Sequence, residues 1–305
     1  MKRTRDVKAF LYEPDKDLRA NIRATMRDAG FADIIDTDRP ELFAETMASG
    51  MIDIAVCDVN PVTGMACALL SDLRHKRVGE NPFPVMLGVT ADPDEQNVAR
   101  MIDAGFDTLT LKPFNSQSLR RRLEYFLNDR KPFVVTAGYV GPDRRNHLRP
   151  DATSAPQLMV PNPVQLIADG MSREDLMTSI KDAAAELDER KLHSDVGGIV
   201  WVAQRIAAAI AVGNNAMVHR YIRQLTTIAE DIDIRLERTA YGHVRELCDS
   251  LLGVAARLEA TTGTPDRKDT DLLHNLAAAI KRATAANNKD AAYAREVTAL
   301  MEAHT

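Results

Sequence analysis

An acid, a hydroxyl and an amine each stand where an apolar stretch of this chain runs out. Asp58 follows residues 52–57 (IDIAVC), Thr90 follows residues 83–89 (FPVMLGV), and Lys112 follows residues 108–111 (TLTL) and precedes Pro113. Apolar runs of this length suit strands buried on both faces, as in a parallel sheet. In an open α/β sheet, ligands bind at the carboxyl ends of the strands. If the three stretches are strands of one sheet, a carboxylate, a hydroxyl and an ammonium share one edge. The carboxylate is then a candidate nucleophile or metal ligand, in a pocket suited to a small anion.

The elements needed to position these groups can be read in order. Residues 7–12 form a first strand, and residues 18–29 form a helix opened by Asp17 and stopped by Gly30. A short strand over 32–36 and a helix over 40–49 precede the Asp58 strand. A third helix covers 64–75, a fourth runs from Asp92 or Asp94 to Gly105, and a fifth starts at Asn115 or Ser116. Leu119, Leu123 and Phe126 face inward from the fifth. Strand and helix alternate five times, which predicts an α/β fold with a five-stranded, doubly wound parallel sheet and right-handed crossovers.

In order and spacing, Asp58, the pair Thr90-Ala91 and the triplet Lys112-Pro113-Phe114 resemble the receiver domain of two-component response regulators, a flavodoxin-like fold typified by chemotaxis regulators, over residues 7–127. The resemblance implies that Asp58 accepts a phosphoryl group from the phosphohistidine of a sensor histidine kinase or phosphotransfer protein. It implies that Lys112 and Thr90 bind the phosphoryl oxygens. It further implies a Mg²⁺ held by Glu13, Asp58 and the backbone carbonyl of Asn60, which would neutralise the transferred charge. The chain also departs from the pattern. Two adjacent acids normally follow the first strand, and here the positions hold Glu13 and Pro14, which predicts weakened Mg²⁺ binding. Leu109 stands where a switching aromatic is usual, and residues 61–64 lack a Met-Pro pair. The alternative is therefore a non-phosphorylated, degenerate receiver used as a protein-interaction scaffold.

The resemblance covers less than half of the 305 residues. We expect three parts: a receiver over 1–129, a proline-rich linker over 130–168 whose prolines forbid a helix, and an all-α output or interaction domain over 169–305. In the last part, periodicity predicts helices over 172–189, 195–212, from 214 or 215 onward, 234–260, 270–286 and 289–303, a helical bundle. His219, His243 and His274 lie on these helices without the flanking pattern of a phosphotransfer or kinase module. No ATP-binding, cyclase or phosphodiesterase motif is seen, so the reading is a signalling protein and not an enzyme. The expected partner of the helical half is an unidentified protein, or a second copy in a homodimer. A net charge of -5 and a pI of about 5.8 argue against nucleic acid. Cys57, Cys67 and Cys248 form no ligand or disulfide pattern, and the longest apolar run, residues 199–212, is too short to span a bilayer. The expected location is cytoplasmic.

Overall fold

The computed structural model describes residues 4–144, 157–236, 241–261 and 267–285. They divide into two compact units, Met1–Glu186 and Leu187–Thr305.

The first unit is built on the strands the apolar runs predict. These are β1 (Lys8–Tyr12), β2 (Asp33–Thr37), β3 (Ile54–Asp58), β4 (Val85–Thr90) and β5 (Thr108–Leu111). They form one sheet in the order β2-β1-β3-β4-β5, with every pair parallel. The central β3 and β4 are buried along almost their whole length, whereas the edge strand β2 alternates. The connecting helices are α1 (Lys16–Asp28), α2 (Pro40–Ala48), α3 (Met65–Arg74), α4 (Glu95–Asp103) and α5 (Ser116–Tyr125). Asp94 caps α4 and Asn115 caps α5, each accepting from backbone N–H groups of the first turn. The cap of α1 is Asp15, not Asp17: extended at φ -70° and ψ 118°, its carboxylate accepts from Asp17 N and Leu18 N. Phe10, Phe43, Met86, Met101 and Phe106 fill one face of the sheet, and a Cβ at Gly88 would lie 2.6 Å from Met101 Cε. The glycine leaves room there for the Met101 side-chain end and the Phe106 ring, which a Cβ would approach to 3.1 Å.

Residues 130–144 and 157–168, within the stretch expected as a linker, carry regular structure. Strands β6 (Phe133–Val135), β7 (Val140–Pro142) and β8 (Gln157–Leu158) make an antiparallel sheet in the order β7-β6-β8, and α6 (Pro163–Ala168) follows. Proline does not forbid this helix, because Pro163 sits in its first turn, where an amide N–H would have no helical partner, and Asn162 caps it. The segment is held to the large sheet by charge. Arg74 Nη2 and Arg130 Nε bind Asp107 at 2.8 Å and 2.9 Å, and Arg130 Nη1 donates to the carbonyl of Pro161 at 2.7 Å. The Phe133 ring lies 4.9 Å from one guanidinium and 5.0 Å from the other. All three ionic partners are buried, so the network is dry and each charge has a partner.

In the helical half, α7 (Arg173–Ala211) is one helix of 39 residues, where the sequence predicts separate helices over 172–189 and 195–212. Lys191, Leu192 and Asp195, in and beside the expected break, are buried in helical turns. The remaining elements are α8 (Asn215–Leu236), a 3-10 turn over Gly242–Val244, α9 (Arg245–Ala260) and α10 (Arg267–Ala285). The single helix expected over 234–260 is thus divided: α8 runs through to Leu236, and α9 begins only at Arg245. The helix expected over 289–303 lies outside the described residues. From Leu192 onward the second unit has a continuous apolar core, in which Ile206, Leu225, Leu251 and Ile280 are fully buried.

Candidate functional site: an acid–ammonium cluster at the sheet edge

Parallel pairing carries Asp58, Thr90 and Lys112 to the same edge. Asp58 closes β3 opposite Val89, Thr90 closes β4 opposite Leu111, and Lys112 is the next residue, its N–H bonded to Thr90 O at 2.8 Å. Glu13 follows β1 directly, and its N–H donates to Thr37 O at 3.1 Å. Four strand ends therefore supply the four side chains.

The ammonium of Lys112 joins the two acids. Its Nζ donates to Asp58 Oδ1 at 2.6 Å and lies 2.8 Å from Glu13 Oε2. The Glu13 side chain is 2% exposed, against 15% for Asp58 and 19% for Lys112. Its Oε1 accepts from Asp15 N at 3.1 Å, but Oε2 is buried with no aligned hydrogen bond. The approach of Lys112 to that oxygen is a Coulombic contact, not a directed bond. Burial works against the charge of Lys112, yet the hydrogen bond to Asp58 and the attraction of Asp58 and Glu13 outweigh it and hold the ammonium above the ordinary lysine value. Two carboxylates around one cation leave a net negative centre.

Thr90 stands beside this pair but is turned toward α4. It is 1% exposed, and its Oγ1 accepts from Asn97 Nδ2 at 3.1 Å and from Asp92 N at 3.2 Å. Asn97 is thus a member of the site that no local pattern singles out, since a single polar residue on an amphipathic helix reads as surface. Tyr12 is another. It closes β1 beside Asp58, its ring centroid lies 5.0 Å from that of Phe43, and burial followed by the charge of Asp58 pushes its phenol up. Leu109 packs, partly buried, against the apolar core of this face.

The expected metal ligands fare unequally. Glu13 and Asp58 lie together. The carbonyl of Asn60 accepts from Gly64 N at 3.0 Å, closing the turn before α3, while Asn60 Oδ1 accepts from Val62 N at 2.8 Å. Asp15 does not replace the acid missing at Pro14, because its carboxylate caps α1. Among the described residues no group of three or more His, Cys, Asp or Glu side chains is gathered as a metal cage. A magnesium ion needs less than such a cage, since it keeps several waters and takes one or two carboxylates together with phosphate oxygens. The buried, unaligned Oε2 of Glu13 and the partly exposed Asp58 fit that description. Asp58, Asn60, Pro61 and Asp92 line an open depression of about 440 Å³ at the strand ends, which gives solutes access to Asp58.

Of the three histidines expected on helices, His219 is half-buried on α8 and His274 is exposed on α10; His193, in the expected break, is also helical and lies exposed on α7.

No family model matches the chain, and no curated protein matches it. Among solved structures, the chain is similar to the Vibrio cholerae chemotaxis protein CheY4 (19% identity, 39% of this chain and 96% of that one, TM-score 0.34). It is similar to an orphan response regulator of H. pylori (19%, 39% and 95%, TM-score 0.34). It is also similar to a putative pilus assembly-related protein of Burkholderia pseudomallei (18%, 41% and 90%, TM-score 0.35). Most of the chain lies outside these likenesses. The five-stranded parallel sheet in the order β2-β1-β3-β4-β5, with its flanking helices, is a doubly wound, flavodoxin-like fold, and the described residues of the C-terminal half are mainly helical. No described helix is long and apolar enough to cross a membrane.

Proposed function

We propose that this chain is a response regulator of a phosphorelay, that Asp58 accepts the phosphoryl group, and that the helical half signals by binding protein. The observation that carries the reading is the convergence of Asp58 and Lys112 at 2.6 Å from strand ends 54 residues apart, beside an open depression. The donor would be a phosphohistidine on a kinase or phosphotransfer partner. A carboxylate oxygen of Asp58 forms the new O–P bond as the P–N bond breaks, and the electron pair leaves with the imidazole. Lys112 sits where it can exchange its contact with Asp58 for one with a phosphoryl oxygen, so its charge meets the charge that arrives. The Thr90 hydroxyl, steadied by Asn97, is the neighbouring donor. Glu13 and Asp58 would hold a Mg²⁺, which supplies further neutralisation of the phosphoryl oxygens when bound. None of these groups turns over a substrate, which suits a switch and not an enzyme. The test is incubation of the full chain with Mg²⁺ and acetyl phosphate, read by intact mass. A gain of one phosphoryl group that is lost in Asp58→Ala supports the reading. An unmodified chain, or equal labelling of the variant, removes it.

A second reading is favoured by a specific observation. With Pro14 in place of an acid and Asp15 committed to the α1 cap, Glu13 and Asp58 are already neutralised in part by Lys112. A receiver in that state could serve as a scaffold whose acid is never phosphorylated. Mg²⁺ titration separates the two: affinity in the millimolar range or tighter belongs to the switch, and none belongs to the scaffold.

A further inference from the structure

A cavity of about 320 Å³ lies at the opposite end of β5 from Lys112, where Asp107 and Thr108 open the strand. Its walls come from α5, from the segment leading into β6 and from the segment leaving β7. They include four cations, Arg121, Arg122, Lys131 and Arg144, with Tyr125 as an aromatic wall. Asp107, the acid that also lines the cavity, does not offset them, because both its oxygens are already bound by the buried Arg74 and Arg130. Two of the four cations are fixed in place: Arg122 Nη1 donates to Thr108 Oγ1 at 2.8 Å, and Arg144 Nη2 donates to the Phe106 carbonyl. A guanidinium has five N–H donors, so each keeps others for a ligand. Arg121 and Lys131 have no hydrogen-bond or ion-pair partner among the described residues. Burial and a hydrogen bond to Asp129 push the Tyr125 phenol up to about 12, so it brings no negative charge.

Such a concentration of cations around one hollow is electrostatically unfavourable when empty and is relieved by an anion. Arginine forks fit phosphate oxygens in pairs, and an aromatic wall suits a flat, apolar group attached to the phosphate. The volume lies at the lower end of the range for small-molecule sites, roughly 300–1,000 Å³. We infer that this cavity binds a mononucleotide-sized phosphate ester, with the phosphate among Arg121, Arg122, Lys131 and Arg144 and the base beside Tyr125. The site is separate from the Asp58 edge and does not depend on phosphorylation there.

The experiment is calorimetric titration of the full chain in low salt without Mg²⁺, using ADP in one arm and pyrophosphate in the other. The arms distinguish a nucleotide from a free polyphosphate. The variant is Arg121→Ala with Lys131→Ala, both exposed, so that folding is spared and is checked by circular dichroism. The expected result is submillimolar ADP binding, weaker pyrophosphate binding, and a loss of about tenfold or more in ADP affinity in the variant, in line with lost charge-assisted bonds. Absence of ADP binding, equal affinity for ADP and pyrophosphate, or an unchanged affinity in the variant would each overturn the inference.

Discussion

Lys112 is the residue on which the candidate site turns, because it is the cation that both acids share. Removing it leaves Glu13 and Asp58 facing one another without a counter-charge. Lys112→Ala should therefore slow phosphoryl uptake from acetyl phosphate by about two orders of magnitude, the usual cost of losing one well-placed electrostatic donor. A variant labelled as fast as the parent would show that the ammonium has no part in the chemistry. The same residue makes a prediction about pH. Its folded value lies above that of a free lysine, so its contribution to stability is complete below the unfolded value and is lost as pH rises through the folded one. Urea midpoints measured on the alkaline side, from about pH 9.5 upward, should fall in the parent and fall less in Lys112→Met. Asn97→Ala tests the support of Thr90. It leaves the Thr90 hydroxyl without the amide that now holds it, and labelling should slow by about tenfold with little change in the thermal midpoint.

Among the elements, α7 departs most from what its residues suggest. Gly197 and Gly198 fall in its middle, where each weakens a helix by roughly 0.5–1 kcal/mol relative to alanine. The helix persists because its neighbours Val196, Ile199 and Val202 are buried, and packing outweighs propensity. A Cβ at Gly197 would meet nothing within 4 Å. Gly197→Ala should accordingly stabilise the protein by about 0.5–1 kcal/mol, read as a higher urea midpoint with an unchanged slope. A lower midpoint would mean that the glycine serves a bend or a partner at that spot. The first turn of the same helix is tied to the sheet of the first unit. Arg173 binds both oxygens of the buried Asp53, at 2.6 Å and 2.9 Å, while Lys8 N donates to that carboxylate at 2.8 Å.

At the scale of the whole molecule, the apolar cluster of the second unit shares no residues with that of the sheet, and the second unit contains a charged cluster. Among the described residues, Lys191 and Arg235 lie with Asp188, Asp195 and Asp231, all at most 4% exposed as side chains. The ammonium of Lys191 donates to Asp195 and lies 3.5 Å from Asp231 Oδ2. Burial pushes the Asp195 carboxyl up to about 6 from 3.8, against the pull of Lys191 and Arg235. The folded state then binds a proton in that window more readily than the unfolded chain, so this group adds stability as pH falls from about 6 toward 4. Asp195→Asn should remove that dependence and change stability at neutral pH by no more than about 1 kcal/mol, because burial already disfavours the Asp195 charge. Lys191→Met removes the cation bound to the buried Asp195 and should cost about 3–5 kcal/mol. Because the cores are distinct, that loss should shift the unfolding of the helical unit and leave the labelling of Asp58 intact. A variant that loses both would show that the units fold as one.

The alternation of apolar stretches and polar loops in residues 7–127 was enough to determine the sheet, because a strand buried on both faces has few other ways to be written. The same pattern placed Asp58, Thr90 and Lys112 at strand ends, and parallel pairing then leaves them no edge but one. What the pattern could not carry was direction and partnership. That Lys112 holds both acids, that Thr90 turns to Asn97, and that Asp15 caps a helix and so cannot reach a metal are outcomes of side-chain packing between residues far apart in the chain. The prolines of residues 130–168 read locally as a linker, yet in its described parts Arg130 donates to the Phe83 carbonyl and Asn162 to that of Phe126, buried bonds that hold them to the first unit. In the helical half, the break expected between residues 189 and 195 does not occur, because Lys191, Leu192 and Asp195 are buried within the turns of one helix. Local sequence sets the period of each element; only the tertiary structure decides which charges meet.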